Sequence, residues 1–456
     1  MTAYLLEHAW VEGAVHDDVL VEVVDGRFTR VEVAEVSSRL SGVATADKRG
    51  NHRSTGDSCT RLPGLTLPGL ANTHSHAFHR ALRGRTQTDR GTFWTWRDQM
   101  YAVAGRLDPD SYYELARATY AEMVAAGFTS VGEFHYLHHQ PDGTPYDDAN
   151  AMGHALLAAA RDAGIRITLL DTLYLSSGFG AAPEGVQRRF SDGTGGAWQD
   201  RVAALAEGCS EPHSVIGVAA HSVRAVPADE LKALVPHAEA GTPLHVHLSE
   251  QVKENADCVA AYGVTPTRLL ADHGLLGPMT SAVHATHLTD EDVRLLGDAR
   301  AFASFCPTTE RDLGDGIGPS LPLREAGARL TVGSDSHAVI DPFEEMRAVE
   351  LDERLASQAR GHWSAAELLT AGTVDGQVSL GFADAGTIAV GQRADLVTID
   401  VASARTAGTG RDEHTAVFAA GPADVRHVVV DGVVRFDGDH AEVGRRLAET
   451  IEGIWR

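Results

Sequence analysis

The chain has 456 residues, 43% hydrophobic and 22% charged, enough to bury a large core and typical of a globular protein in water. Its 39 basic and 63 acidic residues give a net charge of -24, a poor match to nucleic acid or an anionic membrane surface. An anionic substrate would need a local group of arginines set against the field of the whole protein.

No window approaches the length of apolar sequence needed to cross a bilayer. The start, Met1-Thr2-Ala3-Tyr4-Leu5-Leu6, lacks a basic segment followed by a long apolar run, so no signal peptide is expected. The four cysteines, Cys59, Cys209, Cys258 and Cys306, are widely spaced and contain no Cys-X-X-Cys, which argues against a zinc knuckle, a redox pair or a disulfide scaffold. A cytoplasmic protein with reduced thiols is the expectation.

The first 65 residues read as short strands: Tyr4-Leu5-Leu6, Val19–Val24 and Phe28–Val33, with Asp25-Gly26 as a hairpin turn between the last two. Residues 36–60 are polar and rich in Gly and Ser, the composition of a surface loop without chemistry. From 66 to 384 apolar runs alternate with helical periodicity. Strands are expected at Leu67–His76, Ser130–Leu137, Arg166–Leu175, Ser214–Val223, Pro243–Glu250, Ser281–Leu288, Ala301–Pro307 and Arg329–His337. Helices include Ser111–Ala126, Asp147–Ala163 and Ala228–Ala240. Eight strands separated by helices fit an α/β fold, a (β/α)8 barrel whose active site lies at the strand C-termini. An open doubly wound sheet is the alternative, but it explains less well why polar residues gather at the ends of so many strands. Beyond 385 strands return at Thr387–Val390, Ala394–Asp400, Val425–Val430 and Val433–Phe436, and residues 440–456 look like an amphipathic helix. Segments 1–65 and 385–456 are expected to join in a small β-sandwich beside the barrel of 66–384.

Asn72-Thr73-His74-Ser75-His76 places two imidazoles two residues apart, and on a strand such positions share a face. Among 23 histidines a single His-X-His arises readily by chance. Later runs strengthen it: His245-Val246-His247-Leu248-Ser249-Glu250, Val283-His284 and Gly333-Ser334-Asp335-Ser336-His337 each end an apolar run in a potential ligand or acid/base. A lone histidine there is usually a hydrogen-bonded core residue. His74, His76, His247 and Asp335 together make a mixed nitrogen and oxygen set for one divalent ion, zinc by default or iron(II), with a position left for water. Such an ion lowers the pKa of bound water toward neutrality, which points to a hydrolase.

Glu250, three residues past His247, is placed to shuttle a proton without being a ligand. His284, with Asp335, is placed to take the proton of the water or polarise the oxyanion, with His287 as its rival. Two-metal hydrolases of this architecture usually carry a bridging Lys or Glu near the fourth strand, and Val218-Ala219-Ala220-His221-Ser222-Val223-Arg224 has no Lys, so one metal is expected. Arg97, Tyr136, His221 and Arg224 fall near strand ends. An Arg fork with a Tyr hydroxyl suits a carboxylate.

These residues resemble the amidohydrolase superfamily over essentially the whole chain, through Pro68-Gly69-Leu70, His74-Ser75-His76, His247, His284, Gly333-Ser334-Asp335 and Gly391-Gln392-Arg393-Ala394-Asp395-Leu396-Val397. Within its deaminase branch, His74-Ser75-His76-Ala77-Phe78, Phe93-Trp94-Thr95-Trp96-Arg97, Glu133–His139, His221-Ser222-Val223-Arg224 and Ser334–His337 look like the formimidoylglutamate deiminase family. The resemblance implies hydrolysis of N-formimino-L-glutamate to N-formyl-L-glutamate and ammonia in histidine degradation, by a homodimer acting on a small anionic amino-acid derivative. It implies metal ligation by His74, His76, His247 and Asp335, catalysis by Glu250 and His284, and substrate contacts from Arg97, Tyr136, His221, Arg224 and Ser336. His79 stands where that family usually has Gln, three residues after the second metal histidine, and could still donate a hydrogen bond to the glutamate portion. The competing readings are a deaminase of an aromatic heterocycle on the same fold, stacking its substrate on Phe93, Trp94 or Trp96, and a non-catalytic metal-binding barrel.

Overall fold

The computed structural model describes residues 1–33, 59–87, 93–209 and 211–456. The loop expected at 36–60 lies outside these residues as far as 58, and so do the side chains of Phe93 and Trp94. Strands β1 (Thr2–Val11), β2 (Ala14–Val24) and β3 (Arg27–Val33) form a meander, and β4 (Cys59–Pro68) runs parallel to β1. The β2–β3 turn is the expected Asp25-Gly26, with φ of 51° and 75°, the paired left-handed residues that a two-residue hairpin demands.

The barrel follows as β5 (Leu70–Ser75), β6 (Phe128–His135), β7 (Arg166–Leu173), β8 (Ser214–Ala220), β9 (Leu244–Leu248), β10 (Thr280–His284), β11 (Phe302–Phe305) and β12 (Arg329–Val332). Each strand pairs in parallel with the next, in sequence order. Most of these strands are buried along their whole length, as parallel strands covered by helices must be. The ring closes where Ser334 N and Asp335 N both donate to His74 O, at 3.1 and 3.0 Å, beside a bridge between Ser75 and Asp335. Gly333 is required at this seam, because a Cβ there would lie 2.8 Å from both the Cβ and the N of His74.

The remaining strands are β13 (Leu396–Ile399), β14 (Val425–Val430) and β15 (Val433–Phe436). They complete one mixed sheet drawn from both termini, in the order β15-β14-β13-β4-β1-β2-β3, over its own core of Leu6, Val19, Val21, Phe28, Leu396 and Val429. Buried Arg166 on β7 reaches out of the barrel to Asp395, and to Asp431 at 2.8 Å, which ties the two bodies together. The helix His440–Trp455 returns to the barrel, where Trp455 Nε1 donates to Ala81 O at 2.9 Å.

Several boundaries differ from the sequence reading. Thr387–Val390 is not a strand. It lies between Gly386 and Gly391, both at φ 88°, and the turn after it is held to β3 through Phe28. The helix expected at Ala228–Ala240 divides into a 3-10 segment to Leu234 and an α-helical turn from Val235, because Pro236 cannot continue the hydrogen-bond ladder. The barrel strands also stop short of the expected ends. Ser249, His284 and Asp335 adopt φ of 53°, 68° and 35°, which breaks the ladder although the chain stays buried. Non-glycine residues held in this region cost energy and cluster at functional sites.

Candidate active site

His74 is the fifth residue of β5 and His76 follows its last, so both leave the barrel at its C-terminal rim. Glu133 near the end of β6 shapes this exit: it accepts from Ser75 Oγ at 2.6 Å and from Ala77 N at 2.7 Å. Asn72 pins the opposite side, accepting from Ser334 N at 3.0 Å and donating to Ser334 Oγ at 2.7 Å. The loop carrying Asp335 is thereby fixed against the strand carrying His74.

The result is a convergence of donor atoms. One ligand atom each from His74, His76, His247 and Asp335 lies within 4.8 Å of all the others, and all four residues are buried. Asp335 Oδ1 is 3.3 Å from Nε2 of both His74 and His76, and His247 Nε2 is 3.0 Å from His74 Nε2. His76 Nδ1 donates to Phe134 O at 3.0 Å and His247 Nδ1 to His221 O at 2.9 Å. A carbonyl only accepts, so these bonds leave the Nε2 lone pairs of the neutral rings facing the centre. Burial holds His247 well below the usual histidine range and His74 at about 4, the neutral form that metal ligation needs. Burial pushes Asp335 up, but the close approach of His74 and His76 and the nearby charge of His284 outweigh it and hold the carboxyl well below the usual carboxylate range. Acceptors thus outnumber protons here, and the four residues fit a metal ion.

A cavity opens over this centre, lined among others by Glu250, His284, Arg97, Tyr136, His221 and Arg224. His284 ends β10, with Nε2 3.7 Å from Asp335 Oδ2 and Nδ1 3.3 Å from Glu310 Oε1. Burial works against its charged form, but the Glu310 hydrogen bond and the charges of Glu250, Asp335 and Glu310 win and raise its pKa to about 10. His287 is turned aside, with its Nε2 donating to Asp315 O at 2.8 Å. Arg224 does not point at the cavity alone: it lies 3.5 Å from Glu250 Oε2 and 3.5 Å from Glu254 Oε2. Arg97 lies over the Tyr101 ring at 5.6 Å. His79 also lines the cavity, with Nε2 3.2 Å from Tyr136 OH, and burial holds it well below the usual range. Ser336 does not join this group; its Oγ lies 3.1 Å from Thr309 Oγ1, away from the cavity wall.

Other residues at the site escaped the sequence reading. Glu310 lies inside the helix Pro307–Leu313 that follows β11, not directly at the strand end where the sequence reading looked. Tyr101 stands one helical turn after Arg97. Gln187, Tyr174 and Glu254 carry no local pattern that marks them. The cavity's aromatic side includes Trp96, Tyr174 and Phe190.

Comparison with known proteins agrees with this architecture. The Amidohydrolase family model matches residues 65–435. The formimidoylglutamate deiminase of Pseudomonas aeruginosa is 37% identical over 401 residues, covering 84% of this chain and 88% of that protein. A 5-methylthioadenosine/S-adenosylhomocysteine deaminase of Shouchella clausii is 28% identical over 428 residues, covering 92% and 89%. Among solved structures, an amidohydrolase from Brucella melitensis superposes with a TM-score of 0.87 at 31% identity, covering all of both chains. An adenosine deaminase from Xanthomonas campestris with bound zinc shares the fold, with a TM-score of 0.82 at 23% identity over 100% of this chain and 98% of that one. With a barrel closed at His74 and Asp335 and a family match across most of its length, the chain belongs to the amidohydrolase family and is a hydrolase of carbon–nitrogen bonds.

Proposed function

We propose that the protein hydrolyses N-formimino-L-glutamate to N-formyl-L-glutamate and ammonia. The observation that carries this reading is the placement of Arg97 and Arg224 on the wall of a cavity floored by the four-donor centre, in a chain whose net charge is -24. Two guanidinium groups there suit a substrate with two carboxylates. The likeness to the Pseudomonas aeruginosa deiminase supports the same choice.

In this reading His74, His76, His247 and Asp335 hold one divalent metal, zinc or iron(II), which supplies Lewis-acid activation of water when bound. The chain's own groups do the rest. Glu250 carries the two protons of the attacking water in turn to the departing nitrogen, one at addition and one as the carbonyl forms, with Arg224 holding its carboxylate in place. His284, kept cationic by Glu310, faces the negative charge that develops on the reacting oxygen. Arg97, with Tyr136 and His79, orients the glutamate portion. A place in histidine degradation, a homodimer and a cytoplasmic setting belong to the same proposal. Among the described residues no helix is long and apolar enough to cross a membrane.

The second reading, a deaminase of an aromatic heterocycle, draws on Trp96, Tyr174 and Phe190 along the cavity and on the 28% likeness to a deaminase of adenosine derivatives. A panel measuring ammonia release decides between them. Turnover of formiminoglutamate with none of guanine or 5-methylthioadenosine is expected, and the reverse pattern would reject the proposal.

A further inference from the structure

Tyr101, Tyr174 and Gln187 line the cavity and have no part in the chemistry above. Gln187 Oε1 accepts from Glu184 N at 3.1 Å, which fixes which end of its amide is the donor. Its Nε2 then donates to two phenols at once, Tyr101 OH and Tyr174 OH, each at 3.0 Å. A hydroxyl that has accepted one hydrogen bond keeps its own proton to give. Among the described residues no protein acceptor takes either proton. Burial raises the pKa of both phenols, so both remain donors at neutral pH.

Their position matters as much as their polarity. The Tyr174 ring is 4.9 Å from His221, and His221 is 5.1 Å from the ligand ring of His247, so the pair stands two rings out from the four-donor centre. Arg97 lies over Tyr101, and both Arg97 and Arg224 are close enough to favour negative charge at either phenol. Two phenol donors and a guanidinium at the far end of a cavity form a receptor for an anion.

We infer that Tyr101 and Tyr174, aligned by Gln187 and backed by Arg97, bind the carboxylate at the far end of the substrate and select an acidic side chain over an apolar one. The choice of substrate rests on the deiminase reading; the anion receptor does not. Gln187 is a positioning residue: it sets the direction of two hydrogen bonds without touching the ligand.

The test uses the metal-loaded full-length protein and compares Tyr101→Phe/Tyr174→Phe and Gln187→Glu with the unmodified enzyme. Gln187→Glu keeps the shape but turns a donor into an acceptor, so it draws both phenol protons away from the ligand. The substrates are N-formimino-L-glutamate and N-formimino-L-norvaline, which lacks the far carboxylate. With a hydrogen bond to a charged group contributing about ten-fold each, the double variant should lose roughly 100-fold in kcat/KM on formiminoglutamate, mostly through KM. The norvaline derivative should change by less than about two-fold in the same variants. Titration calorimetry with glutarate and butyrate reads the subsite without turnover. The unmodified protein should prefer glutarate, and both variants should lose that preference. Equal losses on the two substrates, or unchanged glutarate binding in the double variant, would overturn the inference. If the unmodified protein fails to turn over formiminoglutamate while the glutarate preference is present and is lost in the variants, the deiminase reading falls and the receptor stands.

Discussion

His284 Nδ1 lies 3.3 Å from Glu310 Oε1, both side chains buried, and the same carboxylate oxygen accepts from Cys306 N at 2.8 Å. The backbone bond fixes Glu310, and Glu310 fixes the tilt and charge of a ring that lies almost parallel to His247, 5.6 Å away with an interplanar angle of 18°. Glu310→Gln keeps a hydrogen bond but removes the charge that favours imidazolium. Because a hydrogen bond to a charged group is worth about 1.5–3 kcal/mol, kcat is expected to fall at least about ten-fold with metal content unchanged. Steady-state kinetics with elemental analysis checks this; unaltered kcat would reduce Glu310 to a packing role.

Glu250→Gln should retain metal and lose most turnover. One general acid/base contributes roughly 10²–10⁴-fold, and an amide cannot cycle a proton. Turnover like that of the unmodified enzyme in a metal-replete variant would remove the proton-shuttle role.

His247→Ala and Asp335→Ala should lower metal affinity and activity together, and a chelator should inactivate the unmodified enzyme reversibly. Retained activity in protein shown free of metal would contradict a hydrolytic metal site.

The two arginines should behave differently. Arg97→Met removes a cavity cation and should hurt formiminoglutamate far more than a small amidine without carboxylates, by on the order of 2–5 kcal/mol if the carboxylate is left buried and unpaired. Arg224 also faces Glu250 and Glu254 at 3.5 Å, so Arg224→Met should depress kcat on both compounds. The check is kcat/KM for each variant on each compound. A uniform effect of Arg97→Met on both would make that arginine structural.

Asp395→Ala should loosen the join between the sheet and the barrel. Asp395 meets buried Arg166 and also accepts from Asp431 N at 3.0 Å. Leaving that guanidinium with Asp431 alone should cost at most about 3–5 kcal/mol, read as a shift of the denaturant midpoint. An unchanged midpoint would show that the pair contributes no net stability.

The alternation of apolar strands with helices, the hairpin at Asp25-Gly26 and the donor set His74, His76, His247 and Asp335 were legible in the amino-acid sequence. They depend on local periodicity, on turn chemistry and on residues placed at fixed offsets from strand ends, all of which a linear chain displays. The seam where Ser334 and Asp335 bond to His74 O was not legible, because it joins positions about 260 residues apart. Nor could the sequence say that Ser336 bonds to Thr309, that Arg224 is shared with Glu250 and Glu254, or that Gln187 bridges Tyr101 and Tyr174. Each depends on the path of loops whose residues carry no period, and on which partner burial brings within hydrogen-bond reach. The sequence determined the kinds of chemical group at the barrel rim; only the closed barrel, by bringing eight strand ends to one place, decided which of them meet.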